Sequence, residues 1–189
     1  MILQIYRERI TPGREADFAA IEQETARAAA TLGCPNPYFA AESLGEPRVV
    51  WWFNVYESPL AQRKVAESYM KNAKLMNLLQ RNSAHKAEFT SDQSDTFAHH
   101  RPVLSNGHSW TPGHGRFLRV TETKDKTKAV GAVFETDDGR RLVVAAFDTR
   151  EEAARGADAN TQVLAIRPAW SFPAKEWVAA DPEFWAQKS

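Results

Sequence analysis

The segment that most constrains this chain is the uncharged run Val49-Val50-Trp51-Trp52-Phe53-Asn54-Val55-Tyr56. It is dominated by β-branched and aromatic residues and reads as a strand. Side chains alternate along a strand, so Val49, Trp51, Phe53 and Val55 share one face, and Val50, Trp52, Asn54 and Tyr56 the other. Both faces need cover, whereas helices packed on a sheet cover only one. The purely apolar set is expected to meet helices. The second set mixes rings with an amide and is expected to line a cavity.

The surrounding segments supply the helices. Ile2 to Ile10 reads as a strand, broken at Thr11-Pro12-Gly13. A helix follows, with Phe18, Ile21, Thr25, Ala28 and Leu32 on one face and Glu22 toward water. Gly33, Pro35 and Pro37 end it. Tyr38 to Leu44 pairs with the strand from Arg48 to Tyr56 around Gly45-Glu46-Pro47. Ser58-Pro59 opens a second helix, with a hydroxyl cap and a proline that fits the first turn. Its inner side is marked by Val65, Tyr69, Met76 and Leu79, and a break is expected between Asn77 and Phe89. A strand from Thr96 to Leu104 completes a β-α-β-β-α-β order, the ferredoxin-like pattern.

The rest repeats this order in shorter form. A joint at Ser105 to Gly115 leads to a strand from Arg116 to Thr123. A hairpin follows, Ala129 to Thr136 and Arg140 to Phe147, around Asp137-Asp138-Gly139. Thr149-Arg150-Glu151-Glu152 is a capping box, Val163 to Trp170 a closing strand, and Lys175 to Trp185 a tail with a little helix. Val55-Tyr56-Glu57-Ser58 and Ala146-Phe147-Asp148-Thr149 make like junctions of strand, aromatic, acid and hydroxyl cap. Lys124 to Lys128 is too short for a crossover helix. The expected fold is therefore α+β, with a ferredoxin-like unit at residues 1–104 and a reduced second unit at 105–189.

Composition removes several function classes. Lys plus Arg equals Asp plus Glu at 24 each, and no basic stripe interrupts that balance, which argues against nucleic acid and anionic membranes. Cys34 is the lone cysteine, so neither an internal disulfide nor a cysteine-rich zinc site is available. The chain begins directly in a strand and has no spanning apolar run, so a cytoplasmic protein without a membrane segment is expected. There is no phosphate-binding glycine loop, no dinucleotide fingerprint and no nucleophile elbow.

The run Ile5-Tyr6-Arg7-Glu8-Arg9-Ile10-Thr11-Pro12-Gly13-Arg14-Glu15-Ala16-Asp17-Phe18 resembles the opening of proteins in the dimeric α+β barrel superfamily, such as the antibiotic-biosynthesis-monooxygenase-like and NIPSNAP-like families. Trp51 to Tyr56 with Glu57-Ser58-Pro59 looks like their third strand and second helix. The resemblance implies two sheets facing each other around a barrel, closed within one chain or in a homodimer. It also implies a small-molecule ligand, with cofactor-independent oxygenation of an aromatic or polyketide-like substrate as a reaction. A non-catalytic, structural barrel is the alternative, and a haem-binding oxygenase, using types supplied by Asn54, Trp52 and His85, the third reading.

On the face assignment above, Gln4, Tyr6 and Glu8 join Trp52, Asn54 and Tyr56 along the cavity, with His100, or His99 if the register slips. His100 or Glu8 would serve as general base, Asn54 or Arg119 would stabilise the anion, and Tyr6, Trp52, Tyr56 and Arg119 would contact substrate. His99, His100, His108 and His114 cluster in sequence. Neighbours on a strand point apart, and no helical histidine pair occurs, so no metal is assigned.

Overall fold

A computed structural model describes residues 1–112, 115–124 and 130–187. The elements are β1 (Ile2–Ile10), α1 (Glu15–Leu32), β2 (Tyr38–Ser43), β3 (Val49–Tyr56), α2 (Pro59–Lys71), α3 (Ala73–Lys86), β4 (Thr90–His100), α4 (Pro102–Ser105), β5 (Phe117–Thr123), β6 (Ala132–Thr136), β7 (Arg141–Phe147), α5 (Arg150–Ala154), β8 (Thr161–Phe172), α6 (Lys175–Ala180) and α7 (Pro182–Trp185). Lys124 lies at the edge of the described residues. The remainder of the Lys124–Lys128 run, and His114, lie outside them.

All the strands pair antiparallel into one closed barrel, in the order β1-β3-β2-β8-β5-β7-β6-β4. Closure is achieved within a single chain. The first four strands run β4-β1-β3-β2 and the last four β8-β5-β7-β6, so each set has the same internal order. The two sets join where β2 pairs β8 and β4 pairs β6. A closed sheet leaves no unpaired edge.

Strand parity holds as expected, but the sense of the faces is reversed. The lumen is lined by Leu3 and Ile5 of β1, Phe39 and Ala41 of β2, Trp51 and Phe53 of β3, and their counterparts Leu118, Phe134, Val144 and Leu164 from the second set. The other face of β1–β3 meets α1 and α3, with Ile10, Ala40, Val50 and Trp52 packed against Phe18, Ile21 and Ala29. The purely apolar row therefore fills the barrel, and the mixed aromatic–polar row lies under the helices. The helix layer tolerates that polarity because it brings matching charges, described below.

Three further expectations are corrected. Glu22 is 1% exposed and sits on the inner side of α1. The second helix breaks at Asn72, before the expected stretch. There the side chain caps α3 by accepting from the Leu75 N–H, 3.1 Å, and donates to the Leu32 carbonyl, 2.6 Å. β4 begins at Thr90 and ends at His100, where Arg101-Pro102 turns into α4. The Ser58 and Thr149 caps form as read, accepting from Ala61 N and Glu152 N. Gly139 adopts φ 79°, the left-handed conformation the turn between β6 and β7 requires.

The tail stops one end of the barrel. Trp177 of α6 meets Phe39 edge to face at 5.5 Å, and Trp185 of α7 lies 6.0 Å from Trp177. Phe184 joins the same cluster, held beneath Arg116 at 4.1 Å. Arg116 also pairs with Asp181 at 2.5 Å, fixing the tail to the start of β5.

Candidate functional site in the barrel lumen

The other end of the lumen is open. Beyond Phe39, Phe53 and Leu3, the inward rows continue to Ser43, Trp51, Ile5 and Arg7 and border a cavity of about 860 Å³. That lies within the roughly 300–1,000 Å³ of small-ligand sites. Ile5, Val49, Trp51, Val120 and Leu142 supply apolar walls. Arg7, Thr96, Glu122, Arg140 and Gln162 add polar groups, and the turn around Gly45-Glu46-Pro47 forms part of the mouth.

Arg7 shares the inward row of β1 with Leu3 and Ile5. Its Nε donates to Ser94 Oγ of β4 at 2.9 Å, and its guanidinium carbon lies 4.8 Å from the Trp51 ring centroid. The ring face attracts the cation. Arg140 is occupied differently: its Nε binds Asp138 at 2.7 Å and its Nη1 lies 3.6 Å from Glu122. The Thr136 hydroxyl, followed by Arg140, holds the Asp138 carboxyl below its ordinary range.

The residues expected at the cavity lie elsewhere. Tyr6, Glu8 and Trp52 form a buried charged cluster beneath the helices. Lys86 of α3 reaches Glu22 at 2.8 Å and Glu8 at 3.3 Å. The Tyr6 hydroxyl donates to Glu8 at 2.7 Å, and the Trp52 indole N–H to Glu22 at 3.1 Å. Lys86 also lies 4.6 Å from the Trp52 ring centroid. Burial opposes its charge, but Glu22 and Glu8 outweigh that and hold its pKa above the ordinary value. Burial, then the Glu8 bond, pushes the Tyr6 phenol well above its usual range.

Asn54 accepts from Asn36 at 3.4 Å, and the Tyr56 hydroxyl donates to Gln4 at 2.9 Å, its pKa pushed to about 12 chiefly by burial. Both lie on the outward row. Arg119 also points outward, 4.7 Å over the Phe147 ring, and donates to the Arg155 carbonyl at 2.9 Å. His100 keeps the inward parity, but at the far end of β4 from the cavity. It packs 5.2 Å from Phe134 and contacts Ser105 Oγ at 3.1 Å. Burial, then the Met1 amine, lowers its pKa. His99 faces out toward Asp137 at 3.5 Å, and His108 is exposed.

Among the described residues, no three His, Cys, Asp or Glu side chains gather as a metal site. Trp52, Asn54 and His85 do not converge: Trp52 lies beneath α1, Asn54 binds Asn36, and exposed His85 stands against Phe89. No histidine, cysteine, methionine or tyrosine lines the described lumen cavity. Side chains able to serve as axial haem ligands are thus missing from its wall, and the residues present do not fit haem there. Among the described residues no helix is long and apolar enough to cross a membrane.

No family model matches the sequence, and no curated protein matches it. Solved structures do. A candidate monooxygenase from Fusobacterium nucleatum superposes with TM-score 0.55 at 8% identity, over 90% of this chain and 92% of that one. A candidate monooxygenase from Lactobacillus acidophilus gives 0.51 at 9%, over 88% and 92%. A candidate chlorite dismutase gives 0.50 at 10%, over 89% and 95%. This chain shares their fold. At such identities the likeness extends to the fold alone.

Proposed function

We propose that this chain binds a small molecule in the open half of its barrel lumen, and that the site suits cofactor-independent oxygenation of an aromatic or polyketide-like substrate. The observation that carries the reading is the cavity itself: about 860 Å³, with apolar side chains and polar groups sharing its wall, and closed at its inner end by packed rings. Such a pocket holds a planar body away from water and lets a few polar groups orient it. On this reading the opening run Ile5–Phe18 supports kinship with the antibiotic-biosynthesis-monooxygenase-like and NIPSNAP-like proteins. The repeated strand order supports two tandem ferredoxin-like units at 1–104 and 105–189, the second reduced. A homodimer would then pair whole barrels.

In the proposed reaction a bound phenol or activated methylene loses a proton, and the resulting carbanion reacts with oxygen. A CH2 group becomes C=O, and the second oxygen atom leaves as water. Glu122, from an inward strand position, is the candidate base, and Arg7 the candidate stabiliser of the anion. His100, Glu8 and Asn54 do not line this cavity.

The alternative of a non-catalytic barrel draws on the sealed half of the lumen. An oxygen electrode separates the two. Oxygenation predicts substrate-dependent oxygen uptake from an acidic naphthol or tetralone, lost in Val120→Trp, which fills the cavity. Binding without uptake would leave a ligand-binding barrel. Absence of binding would remove the lumen reading.

A further inference from the structure

We propose that Arg7 anchors a planar anion with two oxygens side by side, so that the lumen selects aromatic carboxylates or aromatic β-dicarbonyl enolates over neutral aromatics. This rests on the lumen reading above and names its ligand class.

A guanidinium offers five N–H donors in a fixed plane. In Arg7 the Nε–H is taken by Ser94. The terminal nitrogens bind no acceptor among the described residues, and no described carboxylate pairs with the group. Arg140 differs, since Asp138 and Glu122 already flank it. Arg7 is thus a half-buried cation whose counter-charge the described residues leave to be supplied from elsewhere. An arginine with Nε engaged presents the edge formed by its two terminal nitrogens. That edge is complementary to two coplanar oxygens, as in a carboxylate or a chelated enolate.

The surroundings fix what is attached to those oxygens. The Ser94 bond and the Trp51 ring face hold the guanidinium in place, and a ligand held by two parallel bonds lies near its plane. Its body then extends between Ile5, Val120 and Leu142, which are apolar. A flat aromatic ring system fits there, while a flexible polar chain would leave the apolar wall uncovered. The other charged side chains on the cavity wall balance in sign, Glu46 and Glu122 against Arg140 and Arg150, so Arg7 is the surplus cation that discriminates by charge.

The test uses the intact chain at neutral pH and three probes: 2-naphthoate, methyl 2-naphthoate, and the enolate of 2-acetyl-1,3-indandione. Binding is read by tryptophan fluorescence and calorimetry. The unaltered protein is expected to bind both anions, and the neutral ester about tenfold more weakly or worse, as for loss of a charge-assisted bond. Arg7→Gln should weaken the anions by a similar factor and leave the ester unchanged. Arg7→Lys should fall between, keeping charge but losing the fork. The ratio of the two anions identifies which oxygen pair the site prefers.

Equal binding of naphthoate and its ester overturns the proposal, as does unchanged anion affinity in Arg7→Gln. If Arg7→Gln does not fold, the acid–ester comparison in the unaltered protein decides. Val120→Trp separates the two levels. If it abolishes ester binding while acid and ester bind alike in the parent, the lumen site stands and the Arg7 assignment fails. If no probe binds the parent, or if Val120→Trp leaves all binding unchanged, both fail.

Discussion

The two faces of β1 and β3 make opposite use of the same strands. The lumen face is apolar from Leu3 through Phe53 and ends in a cation, Arg7, at an open cavity. The helix face is covered by α1 and α3, yet it buries Glu8, Glu22 and, toward the end of β2, Glu42, each 1% exposed. Glu42 is held by Arg48 and by Arg167, the latter at 2.5 Å. The difference teaches that the polar face of a strand need not be the functional one. Where a helix layer supplies complementary charge, polar residues lock the layers together. The cleaner face is then left for a ligand.

The largest effect should come from removing a charge on the closed face. Lys86→Met strands two buried carboxylates and should cost about 3–5 kcal/mol in urea unfolding. Restoring the balance with Glu8→Gln and Glu22→Gln should recover a good part of that loss. If Lys86→Met alone is neutral, the view of this face as a charge-matched lock is broken. On the lumen face, Trp51→Ala should cost less than the roughly 3–5 kcal/mol usual for a packed indole, because one side of Trp51 borders the cavity. The same variant should weaken aromatic ligands.

The pH dependence should also split by face. Lys86 holds its proton more tightly folded than unfolded, so its contribution is complete below its ordinary pKa near 10.5 and is lost as pH rises through the folded value. Alkaline melts of the parent should show this extra loss, and Lys86→Met should not. His100 behaves in the opposite sense. Its folded pKa is lowered, so its contribution is present above about 6.5 and fades as pH falls toward the folded value. Its ring is only partly buried, so this should be the smallest effect, a slight acid-side drop in melting temperature that is absent in His100→Gln.

Much of the fold was legible because strand parity, hairpin turns and caps are local. Ile2–Ile10, the Ser58 and Thr149 caps and the Asp137-Asp138-Gly139 turn all lie where side-chain chemistry put them. The sense of the faces was not legible, since an apolar row suits a barrel interior as well as a helix layer. The deciding partners, Glu22 and Lys86, lie on other elements. One signal was present: Glu22 stands four residues from both Phe18 and Ala26, on the buried stripe of α1. Arg7 carried a similar sign, two residues beyond Ile5 on the row with Leu3. The break at Asn72 was readable as a cap between two helix-forming runs. The start of β4 was hidden by its run of polar residues, Ser91 to Asp95.

The stopper of Trp177, Phe184 and Trp185 has a kinetic consequence. A barrel closed at one end is a blind sac, with arrival and departure sharing one doorway. Under the proposed oxygenation, product would have to clear the mouth before the next molecule enters, so turnover would not outpace exit past the Gly45-Glu46-Pro47 turn. Changes in that turn should alter association and dissociation together and leave equilibrium affinity almost untouched. A change at Arg7 should instead act on residence time.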